Sequence, residues 1–555
     1  MVEDRAHLIA VAKGETPADL LLANAKIVNV FTGEIEEGNI AICGDRIAGI
    51  GDYQAQEVVD VGGRHIAPGL INGHIHPESS MLDIGQYARA VVPHGTTSLV
   101  TDLHEIANVS GVKGIKYILE RACQLPLNLF LMAPSCVPAT KLETSGATLG
   151  PEEIKDILGW KECLGLGEVM NFPGVIGGNE VVLKKIEYAR GKIIDGHAPG
   201  LSGKDLSAYI AAGTHSDHEC VTLEEAKEKL EQGMYIMLRE GSSEKNLEAL
   251  LPLVNDNTWP RCLFVVDDRT AADLLKDGDI DAVVRKAIRL GLNPVRAIQL
   301  ATINTAGYFR REGLGGIAPG YFADLIVLGD LKNLRIDMVF YRGKLVAEEG
   351  KPLFEAPTSA DKSLTDSVRI KPFSIEALRL KPSGKAEPVI EVVPGQIITK
   401  KAVVRLKSIP DIEKNILKLV VVERHQATGN IGVGLVKGFG LKRGALASSV
   451  AHDSHNIIAV GASDQDIFIA IKEIERLRGG LVAVGGGKVL GSLALPVAGL
   501  LSDEPLENVV NKLEKLEKVA SELGARLPSP FAALSFLALP VIPEIRLTDR
   551  GLVEL

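Results

Sequence analysis

The sequence predicts an α/β protein built on a (β/α)8 TIM-like barrel, and three observations carry that expectation. Eight short apolar runs between residues 70 and 268 alternate with longer helix-like segments, the rhythm of parallel β/α units. That span is close to the ~250 residues typical of such a barrel. The runs end in His, Glu and Asp, on the rim where barrels of this kind gather their reactive groups.

The elements follow in chain order. AKIVNVFTG, GNIAICGD and RIAGIGDY, within residues 22–66, alternate apolar and polar residues between Gly and Asp, the period of a β-sheet. The eight barrel strands are expected at LINGHIH (70–76), TTSLVTD (96–102), LNLFLMAP (127–134), CLGLGEV (163–169), KIIDGHA (192–198), AGTHSDH (212–218), MYIMLRE (234–240) and CLFVVDD (262–268). Segments such as SGVKGIKYILERACQL and TLEEAKEKLEQG are expected as helices between them. LNPVRAIQLATINTAGYF reads as one further helix. FADLIVLGD and MVFYRGKLV then return to strand character and can complete the sheet begun by residues 22–66.

Polar EAPTSADKSLTDS marks an expected linker around 355–370. Beyond it, KLVVVER and NIIAVGA read as strands, and DQDIFIAIKEIERLRGG and LENVVNKLEKLEKVASELG as helices. The expected division is therefore a small β-sandwich domain from 1–66 with 316–365, a catalytic barrel over 67–315, and a C-terminal α/β domain over 366–555.

Composition narrows the function classes. Hydrophobic residues make up 46% and charged residues 24%, a soluble globular balance; aromatics are only 4% against 57 glycines, which suits aliphatic strands joined by tight turns. A formal net charge of −10 argues against a nucleic-acid partner, since such surfaces need clustered basic charge. No apolar stretch approaches the ~20 residues that span a bilayer. The six cysteines form no C-x-x-C pair and read as buried reduced thiols, and the charged N-terminus does not read as a signal peptide. A cytoplasmic protein is expected.

The polar strand ends carry the chemistry. His74 and His76 stand two apart, so on a strand both imidazoles share a face. Glu168 and His197 lie near the ends of the fourth and fifth runs, and His218 and Asp267 at the ends of the sixth and eighth. Together they describe a site for two divalent cations with Glu168 between them, and imidazole and carboxylate ligands suit Zn, Mn or Fe(II). Asp267 and Asp268 are also positioned to cap the next helix. His215 competes with His218 for the sixth strand's place.

The ordered set resembles the amidohydrolase superfamily, whose members place metal ligands on those strands. Within it, GHIHPESSM, VVPHGTTSLVTDLHEIANVSG, IDGHAPGLSGKDL, SDHE, LREGS, DDR, ERHQATGNIG and SSVAHDSHNI resemble the adenine deaminase family from about residue 20 to the C-terminus. Pro77 and Leu103 depart from that family's pattern. The resemblance favours His218 as ligand and implies two metal ions, most naturally Mn(2+) with Fe(2+) or Zn(2+) as alternatives. It implies attack of a metal-activated hydroxide on C6 of adenine, within purine salvage. Asp267 would carry the proton, and Glu105 or His104 would be the second acid. Arg239 and Glu240 are expected to hydrogen-bond the purine edge or to form an internal ion pair. In the C-terminal part, Arg424–His425 and His452, Asp453 and His455 are open to three readings: a third metal site, a lid contact, or structural histidines.

The expected partner is a small purine base, and the expected state a homo-oligomer, a dimer. The rivals are a dihydroorotase- or hydantoinase-like cyclic amide hydrolase and a non-catalytic barrel binding protein. Many of the former bridge their metals with a carboxylated lysine on the fourth strand, where this chain has Glu168. The latter would lack a ligand, and none is lacking.

Overall fold

The computed structural model describes residues 2–357, 364–394, 396 and 398–554. Eight parallel strands occupy the eight expected runs. They are β1 Leu70–Asn72, β2 Thr96–Thr101, β3 Asn128–Ala133, β4 Cys163–Val169, β5 Ile193–Gly196, β6 Ser216–Asp217, β7 Tyr235–Arg239 and β8 Cys262–Val265. β1 to β5 form one parallel ladder and β6 to β8 a second.

Two short seams close the ring. Asp267–Asp268, just past β8, pairs parallel with Ile75–His76, just past β1. Between β5 and β6 the His215 amide donates to the Ile194 carbonyl at 2.9 Å. Glycine permits that second seam, because a Cβ on Gly196 would lie 2.1 Å from the Ser216 carbonyl oxygen. β2 and β8 are buried at every residue, as expected where side chains fill the barrel inside and helices cover it outside.

Segments on either side of the barrel share one nine-stranded sheet, joined where His65–Pro68 pairs antiparallel with Leu325–Asp330. It curls round its own core, which includes Leu22, Ile27, Ile40, Ile66, Val327 and Phe340. The segment expected as one helix after the barrel is two, Pro294–Leu300 and Ile303–Tyr308. Thr302 breaks it with φ −138° and ψ −93°, its hydroxyl donating back to the Ile298 carbonyl at 2.6 Å.

The C-terminal region is an eight-stranded, mostly antiparallel sheet with the helix Asp464–Leu477 laid on one face. That helix buries Ile467, Ala470, Ile471 and Ile474, the spacing of a single helical stripe. The expected linker falls partly on 358–363, outside the described residues. An apolar core runs unbroken from the barrel into this region through Leu82, Leu103, Val497, Leu501 and Phe531. Backbone bonds from Asp83 to Ser502 (2.8 Å) and from Ser502 to Met81 (2.7 Å) stitch the two together beyond β1. The C-terminal region thus sits against the rim that carries the polar strand ends. No helix among the described residues is long and apolar enough to cross a membrane.

Candidate active site

The six expected ligands meet at the barrel rim. His74 and His76 place their ring centroids 4.8 Å apart, and His74 stacks on His218 at 4.2 Å. His76 Nε2 lies 3.3 Å from Glu168 Oε1 and 3.2 Å from Asp267 Oδ1. Glu168 Oε2 lies 2.6 Å from His197 Nδ1 and 3.3 Å from His218 Nε2. Glu168 therefore stands at the centre, in reach of three histidines from three strands. Burial works against its charge, but His197, His218 and His76 outweigh burial and hold the carboxyl well below its usual range.

Asp267, rather than Asp268, joins the cluster. Its φ of +68° is a left-handed conformation that Asp tolerates better than most residues. Asp268 instead accepts from the Ser79 hydroxyl. Likewise His218 stands in the cluster, whereas His215 Nδ1 accepts from the Ile194 amide at the far end of β6.

The donor set fits divalent cations. Donor atoms of His74, His76 and Asp267 converge within 4.8 Å, as do those of His74, Glu168 and His218. Nε2 of His74 and Nδ1 of His76 and His218 are buried with no hydrogen-bond partner among the described residues. Buried lone pairs are costly unless something binds them, and imidazole with carboxylate is the donor chemistry of Mn, Fe and Zn.

Groups behind the cluster hold it in place. The buried Lys229 ammonium donates to the Ala198 carbonyl (2.7 Å) and Asp217 Oδ2 (3.0 Å), tying the residue after His197 to the residue before His218. The Tyr209 hydroxyl accepts from the His197 amide at 3.0 Å and donates to the Val169 carbonyl at 2.9 Å, beside Glu168. Arg239 donates to Asp267 Oδ2 at 2.7 Å and to Asn246 Oδ1 at 3.4 Å, and pairs closely with Glu219. Glu240 turns to Lys286 (2.6 Å) and to the Leu247 amide (3.3 Å), so its carboxylate faces a helix rather than the cluster.

Two members of the rim were missed. Asp102, the last residue of the second expected run, lies 3.4 Å from His76 Nδ1 and 3.0 Å from His104 Nδ1. Its strand-end position, read as the others were, would have found it. Glu219 lies 3.4 Å from His218 Nε2; it follows His218 directly in SDHE.

Glu105 receives the C-terminal region. His452 Nδ1 meets Glu105 Oε1 at 2.6 Å, and His455 Nε2 bonds Oε2. The Ala451 amide donates to His455 Nδ1 at 3.1 Å, which leaves the proton on Nε2. With its Nδ1 an acceptor, a neutral His455 donates through Nε2 to Glu105, and donor atoms of Glu105, His452 and His455 lie within 4.8 Å of one another. Burial pushes the His455 imidazole down to about 4, whereas Glu105 overcomes burial at His452 and lifts it to about 9. His104 Nε2 lies 3.5 Å from Glu105 Oε1. Asp453 lies in this same segment.

Known proteins match this chain along its whole length. The amidohydrolase family matches residues 65–346, and the adenine deaminase C-terminal domain matches residues 395–555. An adenine deaminase of Dehalococcoides mccartyi is 61% identical over 100% of this chain and 98% of its own. Adenine deaminase 2 of Carboxydothermus hydrogenoformans is 50% identical, covering 99% and 97%. An adenine deaminase of Oceanobacillus iheyensis is 45% identical, covering 100% and 97%. With the barrel and the C-terminal region both matched, and relatives aligned from end to end, this chain belongs to the adenine deaminase family of the amidohydrolases.

Proposed function

We propose that this site hydrolyses adenine to hypoxanthine and ammonia, with two divalent cations held by His74, His76, Glu168, His197, His218 and Asp267. Manganese is our first choice, with iron(II) or zinc as alternatives. The observation that carries the reading is the convergence of these six side chains around Glu168, in a chain matched throughout by adenine deaminases. Such cations, when bound, supply hydroxide near neutral pH by lowering the pKa of water.

The chain's own residues do the rest. Asp267 presents Oδ1 to His74 and His76 at 3.5 and 3.2 Å, while Arg239 anchors Oδ2. Oδ1 is thus the atom that takes a proton from the nucleophile and returns it towards the departing ammonia. His104 carries the second acid role, with Asp102 fixing its Nδ1 at 3.0 Å and Glu105 Oε1 standing 3.5 Å from its Nε2. Glu105, with each oxygen taken by a C-terminal histidine, is a positioning residue beside it. Arg239 and Glu240, both committed to ion pairs, shape the site without touching the base. On the composition and acidic charge, we place the protein in the cytoplasm without a nucleic-acid or membrane partner, and we take a homo-dimer, common among large enzymes, as its state.

A substrate panel tests the reading. Manganese-loaded protein should release ammonia from adenine and leave dihydroorotate, dihydropyrimidines and hydantoins intact. Ring opening of the cyclic amides without ammonia from adenine would sink it.

A further inference from the structure

The segment 452–456 holds buried polar groups that the reaction described above does not use. Its backbone is fastened from behind. Arg424, fully buried, donates to the His455 carbonyl and to the Ala498 carbonyl at 3.1 Å. His425 Nε2 donates to the Ser454 carbonyl at 2.6 Å, and Asn456 Nδ2 to the Thr144 carbonyl at 2.8 Å. The backbone is therefore set before any ligand arrives, the arrangement a binding site needs.

Three side chains of the segment keep a buried atom without a hydrogen-bond partner among the described residues, Asn456 Oδ1 being one of them. Asp453 Oδ2 and Ser454 Oγ are buried, at 5% and 1% exposure, with no hydrogen-bond partner among the described residues. Facing them is Glu143, from the loop after β3, 4% exposed and with Oε1 unpartnered in the same sense. The Ser454 hydroxyl stands close enough to Glu143 to steady its carboxyl, which burial and Asp453 push up. With Ser454 and Glu143 able to serve one another, the carboxylate oxygen of Asp453 is the atom left costly in the folded protein unless a ligand completes it.

Position says which ligand. Asp453 follows His452, which bonds Glu105, and it lies within the electrostatic field of Glu105, His104 and Glu168. Burial, reinforced by Glu105, lifts the Asp453 carboxyl to about 6, as befits an acid with no cation paired to it.

We propose that Asp453 and Ser454, with Glu143 opposite, form the wall that recognises the ring edge of the purine remote from its reacting carbon. The proposal rests on the adenine reading above. With C6 at the cations, the imidazole ring points away from them. There a carboxylate accepts from the ring N–H at N9, and a hydroxyl donates to an adjoining nitrogen lone pair. The C-terminal region is then part of the substrate site, and it selects a free base over any base substituted at N9.

Steady-state kinetics of manganese-loaded Asp453→Asn, Ser454→Ala and Glu143→Gln against adenine, with 9-methyladenine as competing inhibitor, tests this. A lost hydrogen bond to a charged group should raise KM roughly 10- to 100-fold for Asp453→Asn, with kcat and bound metal nearly unchanged. The preference for adenine over 9-methyladenine should shrink with it. Ser454→Ala, which removes one oxygen only, should raise KM by a smaller factor and keep its fold. Variants that retain the adenine KM, or that weaken adenine and 9-methyladenine equally, overturn the wall while leaving the deamination reading intact. An unsubstituted protein that forms no hypoxanthine overturns both.

Discussion

Arg239→Met separates two roles that a buried arginine at this rim can have. The guanidinium donates to Asp267 Oδ2 at 2.7 Å, pairs with Glu219, and is only 3% exposed. Removing one partner of a buried, hydrogen-bonded ion pair costs ~3–5 kcal/mol, because the charge left behind is uncompensated. If all of that fell on the transition state, kcat would drop by roughly two to three and a half orders of magnitude, at ~1.4 kcal/mol per tenfold. Part falls instead on stability, since Asp267 and Glu219 then share one desolvated space. We therefore expect kcat to fall roughly 100-fold, with a lower Tm and a KM for adenine changed less than about threefold. The assay is steady-state hypoxanthine formation on manganese-loaded protein, with bound metal measured on the same samples. A KM raised about tenfold or more, with kcat and metal content unchanged, would refute the reasoning and make Arg239 a purine contact.

Three further substitutions reach the surroundings of the site. Lys229→Met cuts the tie between the segments carrying His197 and His218, so metal affinity should fall roughly 10- to 100-fold in a chelator competition; unchanged affinity would speak against the tie. His455→Ala removes a donor from Glu105 and should lower kcat about tenfold or more with metal content intact; full activity would show that Glu105 needs no brace. His94 lies 3.2 Å from Asp281, which outweighs burial and raises the imidazole's pKa. A histidine raised on folding adds stability that is full below its unfolded value of ~6.5 and lost as pH climbs through the folded value. His94→Gln should thus lower Tm more at about pH 5.5 than at about pH 9, and equal losses at both would contradict the assignment.

What could be read from the residues was whatever obeys a local period. All eight barrel strands and the six convergent side chains follow from one rule, polar groups at the ends of apolar runs, applied to His74 and His76 first. The rule covered Asp102 as well, but TTSLVTDLHE draws the eye to His104 and Glu105. Lys229 shows the opposite difficulty. In TLEEAKEKLEQG it looks like any solvated lysine on a charged helix, yet its ammonium is wholly buried because Asp217 and the Ala198 carbonyl await it. No local pattern announces that pairing. The meeting of Glu105 with His452 and His455 spans 347 and 350 residues, and only docking of the C-terminal region on the rim brings them together. The break at Thr302 depends on one hydroxyl returning to its own helix, which the apolar spacing of LNPVRAIQLATINTAGYF does not disclose.

In the proposed reaction, His74, His76, Glu168, His197, His218 and Asp267 hold a two-cation centre that deaminates adenine. Its most direct test is a titration of metal-stripped protein with manganese, following hypoxanthine and ammonia released from adenine and the metal retained per chain. The expected result is no activity without metal, a rise that levels off at two ions per chain, and loss of both activity and retained metal in His74→Ala and Glu168→Ala. Full deamination by stripped protein, or by either variant with its metal content unchanged, would contradict it.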